Sequence, residues 1–235
     1  CALPIFFGID SFLLIAIPLF IFAGNLMNAG KITDRIFNFA NSLVGWIPGG
    51  LGHANIVASL IFAGMSGSAA ADAGGLGTIE MEAMTSKGYD RDFSAAVTFA
   101  SSVVGPIFPS SIPLIIYGSI ASVSVSKLFV GGVVPAVLIV ATMMILTLII
   151  SLKRGYPRER FNIKKLIIEF SRSILSIITP LIILSGFTAG LFTPTEASCV
   201  AVVYALVIAI FVYRTLDRKS FIADQIGRAS CRERV

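Results

Sequence analysis

The sequence predicts an all-α, polytopic membrane protein, and three observations carry that prediction. First, 56% of the 235 residues are hydrophobic and 13% are charged, with a mean hydropathy of +0.90. A soluble domain holds about 45–50% apolar and about 25% charged residues, so this chain has too little charge to cover a water-facing surface. Second, the charges are bunched. No Asp, Glu, Lys or Arg occurs in residues 11–30, 36–71, 93–126, 128–152, 173–195 or 197–213. A membrane helix needs about 20 apolar residues, and each window is long enough for at least most of a crossing. Third, the short alternating segments of a membrane β-barrel are missing.

Residues 1–50 read as one spanning helix, 5–29, followed by an amphipathic segment. Ile32, Ile36, Phe39, Leu43 and Trp46 fall on one helical stripe, with Lys31, Asp34, Arg35, Asn38 and Asn41 mostly opposite. That pattern suits a helix lying in the membrane interface or one facing a partner. Residues 51–122 differ in kind, being crowded with Gly, Ala, Ser and Pro. Within 123–152, residues 128–152 form a plain span. Segment 153–173 is a basic connector in which Ile163, Leu166, Ile167 and Phe170 oppose Lys164, Lys165, Glu169 and Arg172, a second interfacial pattern. Residues 174–223 hold a close pair of spans, 174–192 and 194–213. From Asp224 to Val235 the composition breaks sharply, and this dodecapeptide is expected to be non-native read-through. A chain that opens at Cys1 inside an apolar stretch is expected to be a fragment.

Basic residues of membrane proteins concentrate on the cytoplasmic side. The strongest cluster is Lys153, Arg154, Arg158, Arg160, Lys164, Lys165 and Arg172. It puts the end of helix 128–152 inside and Lys127 outside. With 92–122 as one crossing, Lys87 and Arg91 are also inside. If 51–84 is a re-entrant hairpin that enters and leaves on one side, Lys31 and Arg35 join them, as do Arg214, Arg218 and Lys219. Fourteen of the 18 basic residues then mark one face. A single crossing at 51–84 would move Lys31 and Arg35 outside, so the hairpin fits better. The net charge of +5 therefore reports topology in the lipid bilayer, and no nucleic-acid partner is expected. A single histidine and three cysteines without ligand spacing argue against a zinc or haem site.

The least lipid-like part of the core is Ala63-Gly64-Met65-Ser66-Gly67-Ser68-Ala69-Ala70-Ala71-Asp72-Ala73-Gly74-Gly75. Gly and Ser let backbone leave the helix, and irregular backbone at membrane depth is tolerated where it is buried in protein or lines a cavity. In transporters, broken half-helices aim their N-termini at anionic substrate groups while freed carbonyls coordinate sodium. Ser66, Gly67 and Ser68 are candidates for such a site. Packing through small residues explains Ala69 to Ala71 but not Ser-Gly-Ser. Asp72 is an intramembrane acid, by default a functional candidate; it serves either the site or a structural hydrogen bond such as a half-helix cap.

The second break is Gly105-Pro106-Ile107-Phe108-Pro109-Ser110-Ser111-Ile112-Pro113. Its three prolines remove three N–H donors and interrupt the helix, leaving half-helices 93–104 and 114–122. Gly105, Pro106, Phe108, Pro109 and Ser110 line that gap. Hairpin and broken helix then offer two irregular backbones to one cavity. Glu196 reads structurally: Thr193 as N-cap, Pro194 at the first helical position and Glu196 at the third make a capping box. His53 reads as an interfacial residue at the hairpin entrance. Gly64-Met65-Ser66-Gly67 fits the Gly-x-Ser-Gly pattern of intramembrane serine proteases, but such a dyad needs a base on a later helix. No histidine follows residue 53, so no enzyme is expected.

These residues resemble the large membrane (M, DctM-like) subunit of tripartite ATP-independent periplasmic (TRAP) transporters. The resembling stretches are PLFIFAGNLMNAGKI at 18–32, FAGMSGSAAADAGGLGTIEMEAM at 62–84, FSAAVTFASSVVGPIFPSSIPLIIYG at 93–118 and GLFTPTEASCVAVVYAL at 190–206. The resemblance implies an elevator fold of the ion-transporter type, built from two inverted repeats, each with a re-entrant hairpin and a broken helix. Residues 51–122 resemble the first repeat's share. It further implies sodium as the coupling ion, with no other cofactor or metal. The implied substrate is an organic acid such as a C4-dicarboxylate, sialic acid or a similar carboxylate, delivered by a periplasmic binding protein. A small Q (DctQ-like) membrane subunit would complete the complex in a bacterial or archaeal cytoplasmic membrane. By the same resemblance Ser66, Ser68, Gly105, Phe108 and Pro109 lie at or near one sodium site, and Ser110 stands where the family often has a second proline. The family continues into a second hairpin and broken helix, so the chain alone is not expected to transport. A non-transporting membrane scaffold is the alternative.

Overall fold

The computed structural model describes residues 12–213. The first residues of the 5–29 window, the basic residues Arg214, Arg218 and Lys219, and the 224–235 segment lie outside the described residues. Helix α1 (Ala16–Ala29) follows a 3₁₀ turn, Phe12–Ile15, and α2 (Ile32–Val44) follows at once, turned by Lys31 at φ 52°. Next come α3 (Gly50–Ser66), a short turn at Ala69–Ala71, a π turn at Asp72–Leu76 and α4 (Gly77–Ser86). Then follow α5 (Arg91–Ser102), α6 (Ile112–Ala121), α7 (Val125–Arg154), α8 (Ile163–Thr188) and α9 (Pro194–Val207), which runs into a second π turn, Ile208–Val212. Among the described residues, four helical stretches are long and apolar enough to cross a membrane: Phe12–Ala29, Val125–Arg154, Ile163–Phe187 and Pro194–Val212. Helix is the only regular structure among the described residues, and the chain is a multi-pass membrane protein.

Helix α3 is the core. Fourteen of its 17 residues are buried, so it is enclosed by protein on every side rather than by lipid. It packs against α2, α5, α7 and α8, and Phe62, Ile56 and Met65 are fully buried with Phe20, Leu26 and Met27 of α1. Helix α7 is the opposite case. Only Val125, Phe129, Ala136, Val140, Thr147 and Ser151 are buried, alternately four and seven residues apart, so one narrow stripe faces the protein. Val134, Leu138, Ile145 and Leu152 are exposed on the far side, as a lipid-facing helix requires.

Two local outcomes differ from the sequence pattern. The basic connector is a loop only as far as Asn162, whose side chain caps α8 by accepting from the backbone N–H groups of Lys164 (3.0 Å) and Lys165 (3.3 Å). The amphipathic stretch then continues unbroken into the span, because no helix breaker intervenes before Pro180. In α2 the stripe divides. Ile32 and Ile36 are buried beside Phe37 and Ala40, Phe39 is half-buried, and Leu43 and Trp46 are exposed. The buried side of α2 packs against α3 and α8, and the Leu43 and Trp46 end of the stripe faces outward.

The two feet of the 50–86 hairpin meet at one end of the molecule. Glu159 takes Lys87 (3.5 Å), Lys165 (2.9 Å) and Asn41 (3.4 Å), and its backbone N–H donates to the Gly45 carbonyl (2.9 Å). Tyr89 stacks on Tyr156 at 4.4 Å between ring centroids and donates to the Pro157 carbonyl (3.2 Å). At the other end, Thr195 donates to the Phe12 carbonyl (3.2 Å), and a cleft of about 550 Å³ opens between Ser124, Lys127, Phe187 and Gly190.

Candidate functional site

The hairpin tip is made by glycine. Gly67 ends α3 in the left-handed region (φ 59°), a conformation that costs any residue with a Cβ, and its N–H donates to the Ala63 carbonyl at 3.3 Å. Ser68 is extended and its hydroxyl accepts from the Ala71 N–H (3.4 Å), starting the return arm. A Cβ on Gly67 would run into the carbonyl of Ser110, so the tip is pressed directly on the broken helix.

The break supplies the other half. Helix α5 ends at Ser102, and α6 begins at Ile112 under a Ser111 cap whose hydroxyl accepts from the Leu114 N–H (3.2 Å). Between them Ser110 sits at φ 79°, and its hydroxyl donates to the Ala63 carbonyl at 3.2 Å. Proline's ring locks φ near −65°, so the backbone path at Ser110 is one proline cannot take. The Ile112 N–H donates to the Gly67 carbonyl (3.3 Å). Gly105 lies so close to the hairpin that a Cβ there would be 3.2 Å from the Ser68 carbonyl carbon. A Cβ on Gly64 would lie 2.7 Å from the Pro180 Cβ and 3.2 Å from the Phe108 ring, and the Pro106 carbonyl accepts from the Ser111 hydroxyl. Pro109 is buried. Ser66, Gly67, Ser68, Gly105, Pro106, Phe108, Pro109 and Ser110 are thus gathered where two interrupted backbones meet.

The Ser66 hydroxyl is buried and has no hydrogen-bond partner. Helix α1 holds it in place: a Cβ on Gly24 would lie 3.2 Å from the Ser66 Cβ. Gly24 was not singled out in the sequence, where it reads as one small residue in an apolar helix. Asp72 lies in the π turn, 1% exposed. Ser59 of α3 stands beside it, with its hydroxyl donating to Ser101 (3.1 Å).

Sequence reasoning also missed a buried polar chain behind the tip. Asn55 donates to Thr98 Oγ1 (2.7 Å), and the Ser101 hydroxyl reaches Asn55 Oδ1 (2.8 Å). The only available signal was helical spacing, with Asn55 and Ser59 four apart on α3 and Thr98 and Ser101 three apart on α5. Glu80, fully buried and without a partner, was missed as well. Thr193 and Glu196 form a capping box at the start of α9, with Glu196 Oε2 accepting from the Thr193 N–H at 2.8 Å and Pro194 opening the helix. That puts them far from the tip, at the end beside Phe12. His53 is buried on α3, about 20 Å along the same helix from Ser66, so the two cannot share a proton.

What the arrangement offers is oxygen: backbone carbonyls freed by two helix breaks, the Ser66 hydroxyl, and a carboxylate nearby. The family model described as "Tripartite ATP-independent periplasmic transporter, DctM component" matches residues 2–229. The chain belongs to the DctM family. The match overlaps the first residues of the 224–235 segment. A sialic acid TRAP transporter permease protein, SiaT, of Haemophilus influenzae is 50% identical over 215 residues, covering 91% of this chain and 35% of the relative. The sialic acid TRAP transporter large permease protein SiaM of Vibrio cholerae is 47% identical, covering 92% and 51%. A 2,3-diketo-L-gulonate TRAP transporter large permease protein of Escherichia coli is 39% identical, covering 94% and 52%. The chain therefore spans a third to a half of the DctM relatives it matches. A DctM protein is a transporter permease, which agrees with the expectation that the Gly-Met-Ser-Gly run is not a protease motif.

Proposed function

We propose that the chain is part of the membrane subunit of a sodium-coupled secondary transporter that takes up an organic acid, and that its hairpin tip and broken helix hold one coupling sodium ion. The observation that carries this reading is the junction of Gly67 with Ser110 and Ile112. A small hard cation prefers oxygen ligands, and the carbonyl oxygens at interrupted helices can supply them. Ser66, with its free buried hydroxyl, is the side chain placed to complete such a shell, and Gly105 and Phe108 close it.

The relatives' named cargoes, sialic acid and diketogulonate, support an organic acid as the substrate. The DctM family supports a periplasmic binding protein and a small membrane subunit as partners, and the cytoplasmic membrane as the location. In the elevator reading, the hairpin and broken helix move together as one body. Their tight mutual contact suits that movement.

Uptake by the full-length protein, reconstituted with its small subunit and binding protein in proteoliposomes, tests the proposal. Accumulation should follow an inward sodium gradient and be lost in Ser66→Ala combined with Ser68→Leu. Uptake that ignores sodium, or that survives this pair of substitutions, overturns the sodium assignment. No uptake by a correctly assembled complex would favour a scaffold role.

A further inference from the structure

Helix α2 and the start of α8 lie side by side and antiparallel. Three contacts fix the register. The Ser173 hydroxyl donates to the Arg35 carbonyl (2.9 Å), the Phe39 and Phe170 ring centroids are 5.8 Å apart, and Trp46, just past α2, meets Phe161 edge to face at 6.3 Å. Rising numbers on one segment thus meet falling numbers on the other. Two amphipathic stretches that are separate in the sequence become one surface in the fold. Trp46, Phe161, Ile163 and Ile167 are each half exposed or more, and Leu43 and Phe170 are exposed as well. Ile163, Ile167 and Phe170 are four and three residues apart, on one face of α8. The indole N–H of Trp46 donates to the Leu43 carbonyl (3.0 Å), so the ring shows its apolar part outward.

The charges along this surface are not matched. Residues 155–172 hold two acids. Glu159 is taken by Lys87 and Lys165, and Glu169 pairs with Arg172 at 3.6 Å. Arg158, Arg160 and Lys164 are exposed, and among the described residues no acidic side chain pairs with them. Arg160 adjoins Phe161, and Lys164 stands one turn before Ile167 and Ile168. The length of α8 puts this end at the membrane boundary. Its 26 residues make about 39 Å of helix at about 1.5 Å per residue, against about 30 Å of hydrocarbon. The surplus falls at the end that carries Lys164 and Lys165, because residues 173–187 hold no charge and suit the bilayer core. Aromatic rings and basic side chains both collect in the headgroup layer.

We propose that the Trp46–Phe161 surface is a binding site for anionic phospholipid. The apolar side chains enter the boundary between headgroups and acyl chains, and Arg158, Arg160 and Lys164 hold the headgroup phosphate, for which Arg offers a two-pronged donor set. A zwitterionic headgroup carries its own cation against its phosphate, so the site selects lipids with net negative charge. The inference rests on the chain's place in a membrane and not on sodium at the hairpin tip.

Quenching of Trp46 fluorescence tests it in full-length protein, with and without the small membrane subunit. The vesicles are equimolar phosphatidylcholine and phosphatidylglycerol, with one lipid or the other carrying brominated chains. The signal of Trp46 is the difference between wild type and Trp46→Phe. Brominated phosphatidylglycerol should quench it several-fold more than brominated phosphatidylcholine, with the small subunit present or absent. Each cation near an anionic surface is worth about fivefold in affinity, so Arg158→Gln, Arg160→Gln and Lys164→Gln combined should bring the two lipids level. High potassium chloride should do the same in wild type with no substitution. Equal quenching by both lipids in wild type overturns the proposal, as does a preference unchanged in the triple variant. Quenching by neither lipid, or quenching lost when the small subunit is added, also overturns it and assigns the surface to a protein partner.

Discussion

The backbone N–H of Ile112 donates to the carbonyl of Gly67 at 3.3 Å, which joins the start of one half-helix to the tip of a hairpin 45 residues earlier in the chain. Neither group has a partner inside its own helix, since both lie at helix ends. The bond therefore exists only because two breaks coincide. It ties the return of the hairpin to the position of the broken helix, and the candidate site is what lies between them.

Gly67→Ala should damage this junction twice. The left-handed conformation costs a residue with a Cβ about 1–2 kcal/mol, and the new methyl group would collide with the Ser110 carbonyl. Thermal unfolding of the full-length protein in detergent should show clear destabilisation. Gly74→Ala is the matched control, because a Cβ there meets nothing within 4 Å. It should leave the transition unchanged or slightly raised.

At Ser110 two substitutions should separate conformation from hydrogen bonding. Ser110→Pro demands a φ that the backbone here does not have, so it should expose the tip to exchange and abolish uptake. Ser110→Gly relieves the positive φ of 79° but removes the hydroxyl bonded to Ala63. These effects oppose each other, and the net change should stay within about 1 kcal/mol. Hydrogen exchange at residues 63–67 and 112 reads both.

The foot of the hairpin should loosen in acid. Asp90 accepts from the Tyr156 hydroxyl (2.8 Å) and pairs with Arg154, and these contacts hold its carboxyl below the ordinary aspartate value. A lowered folded-state value means stability that is present at neutral pH and is lost as pH falls below about 4. Protease sensitivity at residues 87–91 should rise in that window. Asp90→Asn should already be sensitive at neutral pH and lose the share of the dependence that Asp90 carries, leaving that of the Glu159–Lys87 pair.

Thr193→Ala removes the hydroxyl that caps α9 and should cost about 1 kcal/mol. Glu196→Gln, which can still accept from the Thr193 N–H, should cost less. Both should leave sodium-dependent uptake intact, because the box lies at the Phe12 end of the molecule and away from the tip. Thermal unfolding and uptake measured on the same preparations check the pair.

Much of the helical layout was legible because lipid imposes long charge-free windows. Window 128–152 sits inside α7, Pro106 and Pro109 lie in the gap between α5 and α6, and Pro113 falls in the first turn of α6. The continuity of α8 was not legible, since a polar, amphipathic first half followed by an apolar second half reads as two segments until the Asn162 cap joins them. Ser66, Gly67 and Ser68 stood out because no packing argument explains Ser-Gly-Ser in a membrane core. Glu80 did not, because Glu82 and Lys87 nearby make its stretch look solvated. Asn55, Thr98 and Ser101 were hidden for a different reason. Single small polar residues in apolar helices carry no signal until the partner helix is known.

Binding of radioactive sodium to the purified full-length protein tests the central claim most directly. Saturable binding should be present in wild type, and Ser66→Ala combined with Ser68→Leu should remove the share held at the hairpin tip while the protein remains folded. Equal sodium binding in wild type and in that folded variant would contradict a sodium site between Gly67 and Ser110.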